Sequence, residues 1–327
     1  MKEALKNVLL SCISALLCLL LGEAVLRGVK HYRPDYEFEM WRYASELKQP
    51  LPDAALPFHH FPNREGRYYG VEIRTNSMGF RDREVDVPKP AGRKRIVLLG
   101  DSMALGWGVP FDNTVAKQLE LMLNKTRGDF EVINMGTGNY NSAMEVELYK
   151  RKGLGLDANM VVLLYFINDT EPTPSPSPWS YKILSRSYLI ARAVESISEL
   201  KSGYGSDDPL MRHYRKIYTP GSAGEAACRA AIKELAGLCK DRGAELLIVN
   251  VPDLRRLKNY PFSFAAKYIR DLAASSGASF IDLLPVFEPY AGESLWVSPE
   301  DPHMNIKANS LAAGAIYKEL ISEGVGQ

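Results

Sequence analysis

Three hydrophobic patterns follow one another along the chain. After Lys2 and Lys6, residues Val8 to Leu21 form an uncharged apolar run of about 14 residues. Residues 31–93 are rich in Pro, Tyr, Arg and Glu and show few periodic stretches. From Arg95 onward, short apolar runs alternate with helical patterns. The runs are Ile96–Leu99, Glu131–Asn134, Met160–Phe166, Glu245–Val251 and Ser279–Leu283. Nearly continuous runs of this length, β-branched or Leu-rich, predict strands covered on both faces. Between them, Thr114–Asn124 puts Val115, Leu119, Met122 and Leu123 on one helical face, with Asn113 as the expected cap. Glu225–Arg242 repeats apolar residues at i, i+3, i+4 and i+7 and ends at Gly243, the residue type that closes helices. Pro261–Ser275 and Ile306–Ser322 complete the helices. Strands alternating with helices imply right-handed crossovers and a parallel sheet. The predicted fold is α/β, a three-layer α/β/α sandwich with a mainly parallel five-stranded sheet.

The same pattern predicts the organisation. Residues 1–30 form a signal anchor or transmembrane helix, 31–93 a stalk and N-terminal embellishment, and 94–327 the α/β domain. An uncleaved anchor is preferred to a cleaved signal, because Leu19, Leu20, Leu21 and Gly22 offer no small-x-small site. Cys18 lacks the small residues that precede a lipoprotein cysteine. Lys2 and Lys6 compete with Arg27, Lys30 and Arg33 in setting orientation. Export of the main domain is the expectation. The segment Glu171–Trp179 has proline at 172, 174, 176 and 178, so it reads as an extended surface loop rimming any site at the strand ends.

Composition narrows the function classes. The 327 residues are 46% hydrophobic and 24% charged, enough for a large core. The 40 basic and 39 acidic residues show no long single-sign run, which argues against a nucleic-acid partner. Cys228 and Cys239 share one predicted helix, roughly 16 Å apart along its axis. A disulfide needs Cα atoms within about 7 Å, so they read as core cysteines.

The chemistry-bearing residues follow the strands, and in open α/β sheets ligands bind beyond the C-terminal strand ends. Gly100-Asp101-Ser102 follows the first strand, Asn134 to Tyr140 the second and Asn168-Asp169 the third; Asp301-Pro302-His303 precedes the last helix. Together they hold the parts of a nucleophilic acyl-transfer site: a hydroxyl, a base, a group that orients the base, and oxyanion donors. Ser102 lies at a strand-to-helix turn, where its own N–H is available to an oxyanion. A second N–H comes from Gly138 or Asn139, and the Asn168 amide is a third candidate donor. Pro302 holds Asp301 extended, and alternation then places Asp301 on the side of His303. The adjacent His59 and His60 point apart in extended chain, so no metal site is expected, and no cofactor is implied. The glycines at 100, 106 and 108 do not fit G-x-G-x-x-G, and no G-x-S-x-G surrounds Ser102. Trp107, Tyr140 and Trp179 are candidates for an aromatic rim that stacks on sugar, with simple packing as the competing reading.

These blocks resemble the SGNH (GDSL-type) hydrolases. Gly100-Asp101-Ser102 with Gly106 and Gly108, the Asn134/Gly136 turn, Asn168-Asp169 and Asp301-x-His303 carry the resemblance, over about residues 95–320. It implies a flavodoxin-like sandwich with Ser102 as nucleophile, His303 as base and Asp301 as its partner. It also implies an oxyanion hole from Ser102, the 138–139 turn and Asn168. Thr75–Asp82 looks like a lead-in of bacterial, envelope-associated members, so an inner-membrane anchor with an extracytoplasmic domain is expected. Three positions depart from the family. Asn139 stands where glycine is usual, Phe166 replaces the glycine two residues before the Asn, and the acid three before the His is Glu300. Asp301 is preferred to Glu300. The function expected is a serine esterase cleaving O-acyl, above all O-acetyl, esters, with an exported polysaccharide as substrate. The alternatives are an O-acetyltransferase with the same triad and a non-catalytic carbohydrate-binding subunit of an export assembly. The expected partners are an acylated small molecule or carbohydrate and, through the N-terminal helix, a membrane.

Overall fold

The computed structural model describes residues 2–32, 35–125, 128–174, 183–202 and 208–322. Contacts divide the chain into one unit of residues 1–46, 68–70 and 177–206, and a second of 47–67, 71–176 and 207–327. The segment 31–93 is thus shared between them.

In the first unit the N-terminal apolar run lies within a helix, Lys2–Tyr32. It is long and apolar enough to cross a membrane, and none of its apolar window is buried. Glu23, which interrupts the apolar run, has a local use. Its carboxylate accepts from Ser187 Oγ at 2.9 Å and from the N–H groups of Tyr188 and Leu189 at 3.2 and 3.1 Å. Those N–H groups open the helix Tyr188–Ser202 and have no partner within it. The helix Tyr36–Glu46 and Tyr188–Ser202 carry no pattern that the sequence reading singled out.

In the second unit, β1 (Lys48–Pro50) pairs antiparallel with β2 (Phe58–His60), and β3 (Glu65–Tyr68) with β4 (Val71–Arg74) makes another two-stranded sheet. The main sheet holds β5 (Lys94–Gly100), β6 (Phe130–Asn134), β7 (Met160–Tyr165), β8 (Glu245–Asn250) and β9 (Ser279–Asp282). Its order is β6-β5-β7-β8-β9, and every pair is parallel. These are the five predicted runs; the first two are longer by one to three residues, and the other three each end one residue earlier. Strand alternation sorts the core. Val97, Leu99, Ile133, Val161, Leu163 and Ile248 face one way, onto the helices Ser142–Leu148, Ala223–Arg242 and Ser263–Ser276. Ile96, Leu98, Val132, Val162, Leu164 and Val249 face the other, onto Val115–Asn124 and Ile306–Ser322. Both faces are covered, which is why the strands read as continuous apolar runs. The architecture is a three-layer α/β/α sandwich, with the strand order of flavodoxin-like sheets.

Two local expectations change. Thr114, not Asn113, caps the helix Val115–Asn124, its hydroxyl accepting from Lys117 N–H. Asn113 closes the short turn Phe111–Asn113 before it. Cys228 and Cys239 are free and buried in the core on the helix Ala223–Arg242, whose cap Gly243 is left-handed at φ 66°.

Candidate active site

The order β6-β5-β7-β8-β9 reverses direction between β5 and β7, and a crevice opens where chains leave such neighbouring strands in opposite senses. Ser102 follows β5 and Asn168 follows β7. His303 arrives from outside the main sheet, on β11 (Asp301–Met304), which pairs antiparallel with β10 (Trp296–Ser298).

The lead-in segment builds the floor. Arg81, 1% exposed, donates to the carbonyls of Leu105, Gly106 and Val109 at 2.9, 2.6 and 2.8 Å. It thereby satisfies the carbonyls that end the helical turn Ser102–Leu105. Next to it, Asp82 Oδ2 accepts from Asn134 N–H at 2.7 Å, and Asp82 Oδ1 pairs with Lys117 at 2.7 Å. Asn134 in turn donates to the Ala104 carbonyl at 2.8 Å and accepts from Gly136 N–H at 2.9 Å. The blocks after β5 and β6 are therefore clamped through one asparagine.

Asp101 caps the Ser102 turn, its Oδ1 accepting from Met103 N–H at 2.8 Å. Burial pushes its carboxyl above the ordinary range, against the Met103 N–H, His303 and Asn168, which pull it down. Ser102 Oγ lies 2.9 Å from His303 Nε2. His303 Nδ1 lies 2.5 Å from Asp301 Oδ1, which also accepts from His303 N–H at 3.0 Å. Asp301 is fully buried, whereas Glu300 is exposed and its N–H bonds to Ser298 Oγ. The structure thus brings Ser102, His303 and Asp301 into one hydrogen-bonded line.

The turn after β6 also arrives. Thr137 N–H bonds to the Gly100 carbonyl at 3.1 Å, and Asn139 adopts the left-handed φ of 63° that its residue type tolerates. Among the described residues, the N–H groups of Ser102 and Asn139 meet no protein acceptor. Asn168 is placed differently from the simplest expectation. Its Nδ2 donates to Asp101 Oδ2 at 3.1 Å, so one of its two N–H bonds is committed to the turn that carries Ser102. Phe166 is half-buried and packs against both faces of the core.

Of the two readings left open for the aromatics, packing holds for Trp107 and Tyr140. Trp107 is 1% exposed and its indole N–H donates to Asp301 Oδ2 at 3.0 Å. Tyr140 is buried and its hydroxyl donates to the Phe58 carbonyl at 2.6 Å. Trp179 and residues 175–178 of the proline-rich segment lie outside the described residues. Sequence reasoning missed the Trp107 bond because an indole donor has no local pattern. It also missed Lys48, which reaches the 138–139 turn from β1. A hydrogen bond to a charged group contributes about 1.5–3 kcal/mol. Trp107→Phe is therefore expected to lower kcat for an activated acetyl ester about tenfold with KM nearly unchanged, read from steady-state kinetics.

Behind the site lies a buried acidic cluster. Among the described residues neither carboxylate oxygen of Glu145 has a hydrogen-bond donor, and burial, then the charges of Asp169 and Asp101, push its carboxyl well above 4.5. Burial likewise raises Asp169, whose Oδ2 accepts from Ser142 Oγ at 3.0 Å. The native state then holds the Glu145 proton more tightly than the unfolded chain. Its stabilising contribution is complete below the ordinary glutamate value and is lost as pH rises through the raised one. Glu145→Gln cannot ionise. Its Tm is expected to match wild type near pH 4 and to exceed it increasingly toward pH 8. A difference in Tm that stays constant with pH would contradict this. Among the described residues no group of three or more His, Cys, Asp or Glu is placed to hold a metal ion.

No protein-family model and no curated protein matches the chain. Solved structures similar to it include TesA, at 14% identity over 69% of this chain and 98% of that one, with a TM-score of 0.46. A lipase/acylhydrolase from Enterococcus faecalis is 13% identical over 70% of this chain and 96% of that one, with a TM-score of 0.44. Axe2, an acetylxylan esterase from Geobacillus stearothermophilus, is 12% identical over 69% of this chain and 94% of that one, with a TM-score of 0.46.

Proposed function

We propose that this chain is a serine esterase of SGNH type, cleaving O-acyl esters through an acyl-enzyme on Ser102. The observation that carries the reading is the line from Ser102 Oγ through His303 to the buried Asp301, at 2.9 and 2.5 Å. His303 Nε2 takes the hydroxyl proton as Ser102 Oγ attacks the ester carbonyl. Asp301 keeps the other nitrogen protonated and stabilises the imidazolium that forms. The N–H groups of Ser102 and Asn139 receive the oxyanion, with the second N–H of Asn168 as a further donor. His303 then protonates the leaving alkoxide. Water, deprotonated by the same imidazole, releases the acyl group and restores the hydroxyl.

The substrate proposed is an O-acetyl group on an exported polysaccharide. The apolar N-terminal helix supports this, as an anchor that leaves the sheet-bearing unit outside the cytoplasm. The test is incubation of the full chain with an activated acetyl ester, with and without an oligosaccharide acceptor. Free acetate at the same rate in both supports the esterase. Acetylated oligosaccharide formed at the expense of free acetate would replace it with a transferase using the same three residues. Equal glycan binding by wild type and Ser102→Ala, with no turnover by either, would replace both with a binding subunit.

A further inference from the structure

Lys48 is an unusual residue to find beneath a turn that carries no charge. It is the first residue of β1, opposite His60, and only 6% of it is exposed. Its ammonium donates to the Gly138 carbonyl at 2.6 Å and to Asn139 Oδ1 at 2.8 Å, and lies 4.3 Å from the centre of the Phe58 ring. The carbonyl, the amide oxygen and the ring are each neutral. Burial of an ammonium is unfavourable before its hydrogen bonds are counted. Burial also lowers the Lys48 pKa well below the ordinary lysine range. Nearby, His60 is pushed to about 3 by burial and then by Lys48, so it is neutral there.

The geometry has a consequence one atom further on. In a trans peptide the carbonyl of residue 138 and the N–H of residue 139 point in opposite directions. A bond that fixes the Gly138 oxygen therefore fixes the direction of the Asn139 N–H. The second bond, to the Asn139 side chain, holds the same residue in its left-handed conformation from the other side of its Cα. At the turn's flanks, Thr137 N–H bonds to Gly100 and Tyr140 N–H to the Thr137 carbonyl at 3.2 Å. The Asn139 N–H is spent on none of these. A donor on the carbonyl also polarises the peptide and strengthens its N–H as a donor.

We infer that Lys48 is a positioning residue that aims the Asn139 N–H at the oxyanion. This rests on the esterase reading and settles, within it, which residue of the 138–139 pair donates. The test compares wild type with Lys48→Met, which keeps the bulk of the side chain and removes the donor. Fluorophosphonate titration counts competent sites, and kcat is expressed per titrated site. The expected result is a fall in kcat of about 10²-fold with KM changed less than threefold, the signature of a lost oxyanion donor. If Lys48→Met does not fold, Lys48→Gln, which retains a shorter donor, takes its place, with an intermediate loss expected. Wild type active with kcat per site unchanged in the Lys48 variant would overturn the inference, as would a rise in KM alone. Wild type inert toward both ester and fluorophosphonate would instead overturn the esterase reading itself.

Discussion

Asparagine in place of Asp301 is expected to lower kcat for an activated acetyl ester by about 10⁴-fold while leaving Tm within a few degrees of wild type. The cause is a tautomer. Asp301 is fully buried and receives His303 Nδ1, the His303 backbone N–H and the Trp107 indole N–H. All three call for an acceptor. Asparagine has a single oxygen, and its amide nitrogen must face one of these groups. Turned toward Nδ1, it donates to that nitrogen and forces the ring proton onto Nε2. That nitrogen then points a hydrogen at Ser102 Oγ and cannot take the hydroxyl proton. Glu300→Gln is the companion variant. Glu300 is exposed and makes no side-chain bond to the imidazole among the described residues, so its kcat is expected to stay within twofold of wild type. Loss of activity in Glu300→Gln with retention in Asp301→Asn would reverse the assignment of the acid.

The second large effect is structural. Gly136→Ala is expected to lower Tm by several degrees and kcat per folded molecule by at least 10²-fold. A Cβ built on Gly136 would lie 2.2 Å from Leu105 N, 2.5 Å from Ala104 C and 2.8 Å from Ala104 Cβ. Two of these are backbone atoms of the turn that begins with Ser102, so no side chain can swing aside. Either that turn or the turn after β6 must move, and the Asn134 clamp that joins them is lost. Overpacking of this kind costs about 1–3 kcal/mol, and a nucleophile displaced by an ångström loses its aim as well. Gly155→Ala provides the control, because a Cβ there meets nothing within 4 Å. Its Tm and kcat are expected to equal wild type. Thermal melting and active-site titration on both variants separate the loss of fold from the loss of geometry.

What the sequence made legible follows from where each signal is stored. The five central strands were legible because both of their faces are covered, which turns each into a short unbroken apolar run. The helix Ala223–Arg242 was legible because one face packs on the sheet and the other meets solvent. The placement of Ser102, Asn134 and Asn168 followed from the rule that strand ends carry the chemistry. Other features have no local signature. The strands β1 to β4 are three or four residues long, too short for an alternation to declare itself. The helices Tyr188–Ser202 and Pro209–Ile217 both lie beyond a proline-rich stretch, which draws a reading toward loop. Trp107 and Tyr140 read equally as rim or as packing, because an aromatic side chain does not reveal its depth. Only the folded chain shows that one donates to Asp301 and the other to Phe58. Lys48 lies 54 positions before Ser102 by sequence numbering, in a segment that read as a stalk. Its bond to the 138–139 turn is set by tertiary packing alone. The Thr75–Asp82 segment was noted as a motif, but its use, with Arg81 and Asp82 bracing the two turns, becomes visible only in three dimensions.

The most direct measurement is covalent labelling of the full chain by a fluorophosphonate, read by intact mass and by mapping the labelled peptide. The account requires one adduct per chain on Ser102 Oγ, none in Ser102→Ala, and labelling slowed by orders of magnitude in His303→Ala. An adduct on another serine, or equal labelling of wild type and Ser102→Ala, would contradict it.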